Sequence, residues 1–181
     1  MPVDLQKTKI LFALMFLLRG IPFVDLAYLR KTDIQGNILR YRRRKTGRSL
    51  TVMLIPEALR LMQLVANKDG DSPYLFPFLS SPEGTETAYH EYQSALRAFN
   101  HRLSVLKRYV RGHAHLSTYT IRHTWATMAY YCEIHPGIIS EAMGHSSIKV
   151  TETYLKPFQN QKIDKANQEV ISFVKGYASV F

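Results

Sequence analysis

The sequence predicts an α+β domain that is mostly helical and carries one small three-stranded antiparallel sheet. Three observations predict this class: an almost wholly apolar run at Ile10–Leu18, two β-prone runs on either side of a turn at residues 45–47, and helical spacing of apolar residues through most of the rest. A chain of 181 residues has the length of one domain. Chains of this size bury about two-thirds of their unfolded surface, so we expect residues 1–181 to share one core.

The first two predicted helices are separated by a break. Ile10–Leu18 is apolar on nearly all sides, which is typical of a buried helix. Gly20 and Pro22 interrupt this pattern. Phe23–Leu29 then resumes helical spacing, so we expect a buried helix followed by a second, shorter one.

The predicted sheet follows. Ile38–Arg42 and Leu50–Ile55 are rich in β-prone residues, and Lys45-Thr46-Gly47 between them reads as a turn. Such a pair of runs predicts a β-hairpin. A short strand near Asp33–Ile34 would complete a three-stranded sheet, and Pro56 ends it.

Helical spacing predicts the remaining elements. In chain order they are Glu57–Ala66, Glu86–Tyr109, a helix that carries Arg122, Ile138–Met143, a helix that carries Thr151 and Tyr154, and Gln161–Val174. Ser117 or Thr118 can cap the helix of Arg122, and Ser146 or Ser147 the helix of Tyr154. Gly144 stops the helix before it, and Pro157 ends the helix of Tyr154.

The composition favours a polyanionic partner. The chain carries 24 Lys and Arg against 14 Asp and Glu, a net charge of +10, and nucleic acid is the commonest partner of such a charge. The alternative is a solvated basic surface. The single cysteine, Cys132, excludes an internal disulfide and a Cys-rich zinc site, and we expect a buried structural thiol near a helix end. Ile10–Leu18 is too short to span a bilayer and has no signal-peptide cleavage site, so we expect a cytoplasmic, nucleoid-associated bacterial protein.

Three short motifs near the C-terminal end carry side chains suited to chemistry on a phosphate. They place Tyr119 three residues before Arg122, His145 directly after a Met-Gly pair, and Tyr154 nine residues after His145. A tyrosine that attacks a phosphodiester must lose a phenol proton whose ordinary pKa is about 10. Fixed cations stabilise the charge that develops on the phosphate, and a general acid protonates the leaving oxygen. If arginines supply the charge, no metal is needed.

With these motifs, the chain resembles the tyrosine recombinases, also called phage-type integrases. The matching pieces are the run from Arg122 to Thr127, Met143-Gly-His145, Tyr154, and the Lys45-Thr-Gly turn. The stretch Arg19–Leu26 looks like the variant used by integrases of Bacteroides-type mobile elements. The resemblance covers the chain from Ile10 to about Phe158 and implies the tyrosine recombinase catalytic fold.

The resemblance also implies roles. Tyr154 would be the nucleophile that forms a 3′-phosphotyrosyl link, Arg122 the second catalytic arginine, and His145 a further contact to the same phosphate. Lys45 would act as general acid to the 5′ oxygen. Arg19 is the candidate for the first catalytic arginine.

The chain departs from the family pattern at two positions. Tyr119 stands where the family usually has histidine, and its hydroxyl can donate a hydrogen bond but cannot carry a positive charge. We expect an active-site donor there, with His123 or His113 as candidates to compensate. Pro22 stands where the first arginine belongs, and Arg19 lies three residues earlier, about one helical turn away.

The predicted hairpin is the expected DNA contact. Its arginines would bind the phosphate backbone without reading base sequence, and they are Arg42, Arg43, Arg44 and Arg48. The alternative is a solvated basic hairpin. No pair of histidines has a metal-ligand spacing, and no glycine-rich loop could cradle a nucleotide, so we expect no metal and no cofactor.

Together these features predict a site-specific recombinase or integrase that cuts and rejoins double-stranded DNA. The resemblance implies a tetramer on DNA, with Gln161–Val174 as the segment that docks on a neighbour. It also implies that the family's N-terminal core-binding domain is absent from this chain. Two alternatives stay open, a non-catalytic DNA-binding protein on a decayed integrase scaffold and a type IB topoisomerase-like enzyme.

Overall fold

The computed structural model describes residues 1–109, 115–155 and 160–178. Its helices are α1 (Val3–Leu17), α2 (Phe23–Ala27), α3 (Pro56–Val65), α4 (Glu86–Leu106), α5 (Thr118–Tyr131), α6 (Pro136–Met143), α7 (Ile148–Glu152) and α8 (Asn160–Ala178), with 3₁₀ turns at Lys31–Asp33 and Lys107–Tyr109. Its strands are β1 (Ile34–Gln35), β2 (Ile38–Arg42) and β3 (Ser49–Met53). The predicted fold class, mostly helical with a small antiparallel sheet, is confirmed.

Helix α1 forms the centre of the main core. Leu14 and Met15 are fully buried, and α1 packs against α3, α4 and α5. The helix begins well before the predicted run, because Leu5, Thr8 and Leu11 continue its buried face at helical spacing toward the N-terminus. A single face therefore holds the core together over the whole helix.

The sheet has the strand order β1-β2-β3, and both pairs are antiparallel. Leu39 of β2 lies opposite Val52 of β3, and both side chains are buried. One face of the hairpin is thus fixed on the core, because a shift of one residue would turn these side chains to solvent. The predicted hairpin and short third strand are both confirmed, and the hairpin tip spans residues 43–48.

The helices that carry the predicted site begin and end at polar or glycine residues. Ser117 caps α5, since its hydroxyl accepts from the backbone N–H of Thr120 while the Thr120 hydroxyl accepts from the Ser117 N–H. Gly144 ends α6 in the left-handed conformation, with φ of +63°. Both boundaries agree with the sequence, although α6 begins at Pro136, two residues before the predicted start at Ile138.

Two expectations about this region are wrong. Helix α7 ends at Glu152, so Tyr154 lies in the turn after the helix and not within it. The Tyr154 and Leu155 N–H groups bond to carbonyls three residues back, at 2.9 and 3.0 Å, which is the tighter 3₁₀ spacing that commonly ends a helix. Cys132 is exposed, because it caps the C-terminal end of α5 at the surface.

Helix α8 is longer than predicted at both ends and is amphipathic. His113 and Pro157, on which two of the expectations rest, lie outside the described residues. None of the described helices is both long and apolar enough to cross a membrane.

Candidate active site

Arg122 joins three parts of the fold from a buried position on α5. Its guanidinium donates to the Gly20 carbonyl at 2.7 Å and to the Met143 carbonyl at 2.8 Å. The backbone at Gly20 approaches closely, because a Cβ there would lie 3.0 Å from the Arg122 Cα. Gly20 also has φ of +66°, which other residues rarely adopt. The break predicted between α1 and α2 is therefore the place where the chain accommodates Arg122.

Arg43 lies beside Arg122, which the sequence did not predict. Its side chain is only 5% exposed, its Nε lies 2.6 Å from the Asp25 carboxylate, and its Nη1 donates to the same Met143 carbonyl as Arg122. Asp25 also accepts the Arg44 N–H at 2.9 Å, which turns the chain after β2 inward. This position differs from the predicted DNA-facing one. The signal in the sequence was Asp25, an acidic residue on an apolar helix that needs a buried cation.

His145, the residue after Gly144, lies in the same buried cluster as Arg122 and Arg43 and is 4% exposed. A Cβ at Gly144 would lie 2.9 Å from the Arg43 Cγ, so only glycine lets the backbone pass the arginine. The hairpin tip holds this segment: Thr46 donates to the Gly144 carbonyl at 3.1 Å, and Arg48 donates to the His145 carbonyl at 2.5 Å. The hairpin thus positions His145 through backbone contacts.

The cations of the site shift two pKa values. Burial, and then the charges of Arg122, Arg43 and Lys45, lower the pKa of His145 to about 4. Burial and the neighbouring Arg43 lower the pKa of Arg122 to about 10. At neutral pH the imidazole is therefore neutral and the guanidinium charged. Lys45 itself is exposed on the hairpin tip, close enough to contribute to this field.

Tyr154 packs with three other aromatic rings beside the cluster of Arg122, Arg43 and His145. Its ring is stacked on His145 at 5.4 Å between centroids, and it lies 5.1 Å from His123 and 6.1 Å from Tyr119. The neighbouring Tyr154 side chain raises the pKa of Tyr119, and Tyr154 also acts electrostatically on Arg122. Tyr119 is 61% exposed and so stands on the solvent side of the group.

His123, a candidate to compensate for Tyr119, is half-buried, and its Nδ1 is enclosed without a hydrogen-bond partner in the described ranges. It lies one helical turn from Tyr119 on α5, with the two rings 6.2 Å apart. It is therefore the described histidine that touches both tyrosines.

Arg19 does not join this cluster. It has φ of +60° and lines a shallow pocket together with Arg48, Thr51 and Glu141. Among the described residues, no hydrogen bond or ion pair links it to Arg122, His145 or Tyr154. The left-handed backbone at residues 19 and 20 directs its side chain along β3 and α6.

The remaining hairpin arginines have local partners. Arg42 is exposed and donates to the Gly47 carbonyl at 2.6 Å. Arg44 pairs with Glu83 and lies 3.8 Å above the Tyr28 ring. In the described ranges, no group of three or more His, Cys, Asp or Glu side chains could hold a metal ion.

A helical domain with a small sheet that brings a tyrosine, a histidine and buried arginines together is the arrangement of a tyrosine recombinase catalytic domain. Residues 5–161 match the model of the phage integrase family, and the chain belongs to that family. A comparison with curated proteins finds no match.

Solved structures share the fold. The chain is 17% identical to XerA recombinase, with a TM-score of 0.60 over 93% of this chain and 62% of that one. It is 16% identical to the Tn1549 transposon integrase in complex with transposon right end DNA, with a TM-score of 0.61 over 92% and 59%. It is 17% identical to XerH recombinase bound to its difH substrate, with a TM-score of 0.59 over 92% and 48%. The chain thus spans less than two thirds of each of these proteins.

Proposed function

We propose that this chain is the catalytic domain of a site-specific DNA recombinase of the integrase type, with Tyr154 as the nucleophile. The observation that carries the proposal is the convergence of Tyr154, neutral His145 and two buried guanidiniums on one point. Membership of the integrase family and the shared fold support it. That the covalent link forms to the 3′ phosphate, and not to the 5′ phosphate, is implied by the family resemblance alone.

In the proposed reaction, the Tyr154 oxygen attacks the scissile phosphorus as its proton passes to water. The bond from phosphorus to the 5′ oxygen breaks, and Lys45 gives that oxygen a proton. The reverse step, with a 5′ hydroxyl from another strand, releases the tyrosine. The covalent link conserves the energy of the phosphodiester, so no nucleotide cofactor is required.

Arg122 and a second cation would hold the phosphate. Each guanidinium has five N–H donors, and the backbone and Asp25 contacts of Arg122 and Arg43 leave donors for phosphate oxygens. The family resemblance made Arg19 the candidate for this other cation, the first catalytic arginine. The position of Arg43, which shares the Met143 carbonyl with Arg122, favours Arg43 instead.

Tyr119 would be a hydrogen-bond donor to the phosphate or to Tyr154 rather than a base. Its ring lies next to that of Tyr154, with 6.1 Å between centroids, and its exposed position would put it at the solvent side of the attack. Arg42, Arg44 and Arg48 would contact the DNA backbone next to the site, which positions the duplex.

The partners would be double-stranded DNA and further copies of the chain. Helix α8 exposes Ile163, Val170 and Val174 on one face, with exposures of 55%, 62% and 59%. By analogy with the family, this face would dock on a neighbouring copy when the protein assembles on DNA. As a DNA-acting enzyme, the protein would work at the bacterial nucleoid.

The test is covalent capture. The full-length parent protein and this domain are incubated with supercoiled DNA that carries the flanks of the parent gene, denatured, and analysed for protein that stays attached to DNA. We expect attachment by the wild type, none by Tyr154→Phe, and full attachment by the control Tyr131→Phe, an exposed tyrosine on α5. Release of protein after treatment with a protease, but not with alkali alone, would identify a tyrosyl link.

Other outcomes identify the alternatives. If the full-length protein binds this DNA and never attaches to it, the chain is a binding protein on an integrase scaffold. If it attaches and relaxes supercoils at any sequence without exchanging strands between duplexes, it is a topoisomerase-like enzyme.

A further inference from the structure

We propose that Thr151 is a positioning residue for the reaction: its hydroxyl donates to His145 Nδ1 and thereby keeps the proton of the neutral imidazole on Nε2, facing the phosphate. The inference rests on the proposed function for its consequence in catalysis. The tautomer itself can be observed in the free protein, whether or not the protein cuts DNA.

The two side chains form an enclosed pair. The Thr151 Oγ1 lies 2.8 Å from the His145 Nδ1, and the two residues are 0% and 4% exposed. Thr151 stands on α7, one turn before Tyr154, so the helix that leads to the nucleophile also carries the contact to the histidine. The backbone of His145 is fixed by Arg48, which leaves the ring orientation to be set by Thr151.

The direction of the hydrogen bond follows from which buried donor would be left without an acceptor. Within the described residues, His145 Nδ1 is the recorded partner of the Thr151 hydroxyl. If Nδ1–H donated to this oxygen, the buried hydroxyl proton would have no acceptor, and an unpaired buried donor is unfavourable. If the hydroxyl donates to Nδ1, its proton is bonded and only lone pairs stay free. The second arrangement therefore satisfies the pair better.

The other ring nitrogen then becomes a donor. The His145 Nε2 is buried and has no hydrogen-bond partner among the described residues. The low pKa of His145, about 4, keeps the ring neutral at pH 7, so it carries one proton, whose position the bond at the other nitrogen decides. A proton on Nε2 gives the cluster of Arg122 and Arg43 a further donor for an anionic oxygen.

The charges around the ring make this contact necessary. Arg122, Arg43 and Lys45 are the cations that act on His145. Their field favours a lone pair on the nitrogen that faces them and opposes an N–H there. Without the hydroxyl of Thr151, the proton would move to Nδ1, and Nε2 would present a lone pair that repels the phosphate. Thr151 thus opposes the effect of these cations on the position of the His145 proton, while the cations remain available to bind the phosphate.

The decisive experiment is nuclear magnetic resonance of the protein with ¹⁵N-labelled histidine at pH 7. The ¹⁵N shifts distinguish a protonated ring nitrogen from an unprotonated one, and His145→Gln identifies the signals of His145. We expect Nε2–H in the wild type and in Thr151→Ser, which keeps the hydroxyl. Thr151→Val keeps the shape and lacks the hydroxyl, and we expect a shift of the proton toward Nδ1. A wild type protonated at Nδ1, or a Thr151→Val protein with the wild-type spectrum, overturns the proposal.

Covalent capture provides the functional readout. We expect Thr151→Val to attach to DNA about tenfold more slowly, less than the roughly 10²- to 10³-fold effect of deleting a donor to a developing charge, and Thr151→Ser to restore most of the rate. Wild-type attachment rates in Thr151→Val would show that the tautomer does not matter for the reaction and would refute the positioning role. If even the full-length wild type never attaches while the spectra behave as expected, the proposed function fails and the tautomer assignment stands.

Discussion

At the residue scale, the site depends on a backbone carbonyl. Arg122 and Arg43 both donate to the Met143 oxygen, so one acceptor holds two like charges near each other. Asp25 compensates part of this repulsion through its ion pair with Arg43. Burial raises the pKa of Asp25 even though three arginines oppose that shift, so burial outweighs the charges of the arginines at this carboxylate. The buried cluster therefore holds two guanidiniums against one carboxylate.

Replacing Arg43 by methionine tests this arrangement. Arg43→Met leaves the Asp25 carboxylate buried without its cation, and breaking a buried pair in this way costs about 3–5 kcal/mol. The matched control is Arg42→Met on the neighbouring exposed residue, which removes only an exposed hydrogen bond to the Gly47 carbonyl, and for which we expect a loss of about 1 kcal/mol or less. The measurement is urea unfolding of both variants and the wild type. Equal free energies of unfolding for the two variants would contradict a structural role of the buried pair.

His145 makes stability depend on pH. Its pKa is about 4 in the folded chain and about 6.5 in the unfolded chain. Between these values the unfolded chain binds the extra proton, so the free energy of unfolding rises with pH. The contribution is complete above about pH 6.5, is lost as the pH falls toward 4, and is on the order of 3 kcal/mol.

The measurement is urea unfolding at several pH values from 4 to 7. We expect His145→Gln, which has no titrating ring, to show a shallower pH dependence than the wild type. The control His101→Gln, at an exposed position on α4, should keep the wild-type dependence. Parallel curves for the wild type and His145→Gln would show that His145 does not titrate in this window.

The sequence predicted part of this site. The spacing of Arg122, His145 and Tyr154 identified side chains that the structure brings together, and their predicted roles still await a test. Arg43 could not be distinguished from its three arginine neighbours, because the partner that buries it, Asp25, lies 18 positions earlier in the chain. Periodicity carries no information about such long-range pairing.

At the element scale, Gly144 sets how α6 meets the hairpin. It combines φ of +63° with a Cβ position 2.9 Å from Arg43 and 3.1 Å from Leu50. Gly144→Ala should therefore lower the free energy of unfolding in two ways. A residue with a Cβ in the left-handed conformation costs about 1–2 kcal/mol, and overpacking against Arg43 and Leu50 costs about 1–3 kcal/mol more. The control is Gly36→Ala, with φ of +62° and open space around the Cβ position, which should cost only the first. Thermal unfolding of the two variants measures the difference, and equal losses would show that the hairpin yields to the added methyl group.

The secondary structure was predicted better than its boundaries. Each described helix and strand corresponds to a predicted element, because apolar periodicity and capping residues are local signals. The predicted extent of α7, which included Tyr154, was wrong for a physical reason. The position of Tyr154 depends on the contacts of its ring with His145 and His123, which lie on other elements, and the turn that follows α7 serves those contacts.

At the scale of the whole molecule, the apolar face of α8 predicts assembly. Val170→Asp places a charge in the middle of the face formed with Ile163 and Val174, while Ser172→Asp places the same charge on the opposite side of the helix. We expect Val170→Asp to weaken assembly on DNA about tenfold, a loss of about 1.4 kcal/mol, and Ser172→Asp to leave it unchanged. Light scattering of the protein with DNA measures assembly, and thermal unfolding of the free proteins verifies that both fold. Normal assembly by Val170→Asp would exclude this face as the interface.

The bond between Arg122 and the Gly20 carbonyl joins positions 102 residues apart. The residues of the site are thus spread widely along the chain, and this spread has a consequence for synthesis of the chain. At about 5–20 residues per second, roughly 5–20 s pass between the addition of Arg43 and that of Tyr154. During this interval the ribosome carries a basic polypeptide without Tyr154, the nucleophile of the proposed reaction. A prematurely terminated product would also lack Tyr154, so under the proposed function the order of the residues along the chain would delay strand cleavage until translation has passed the last part of the site.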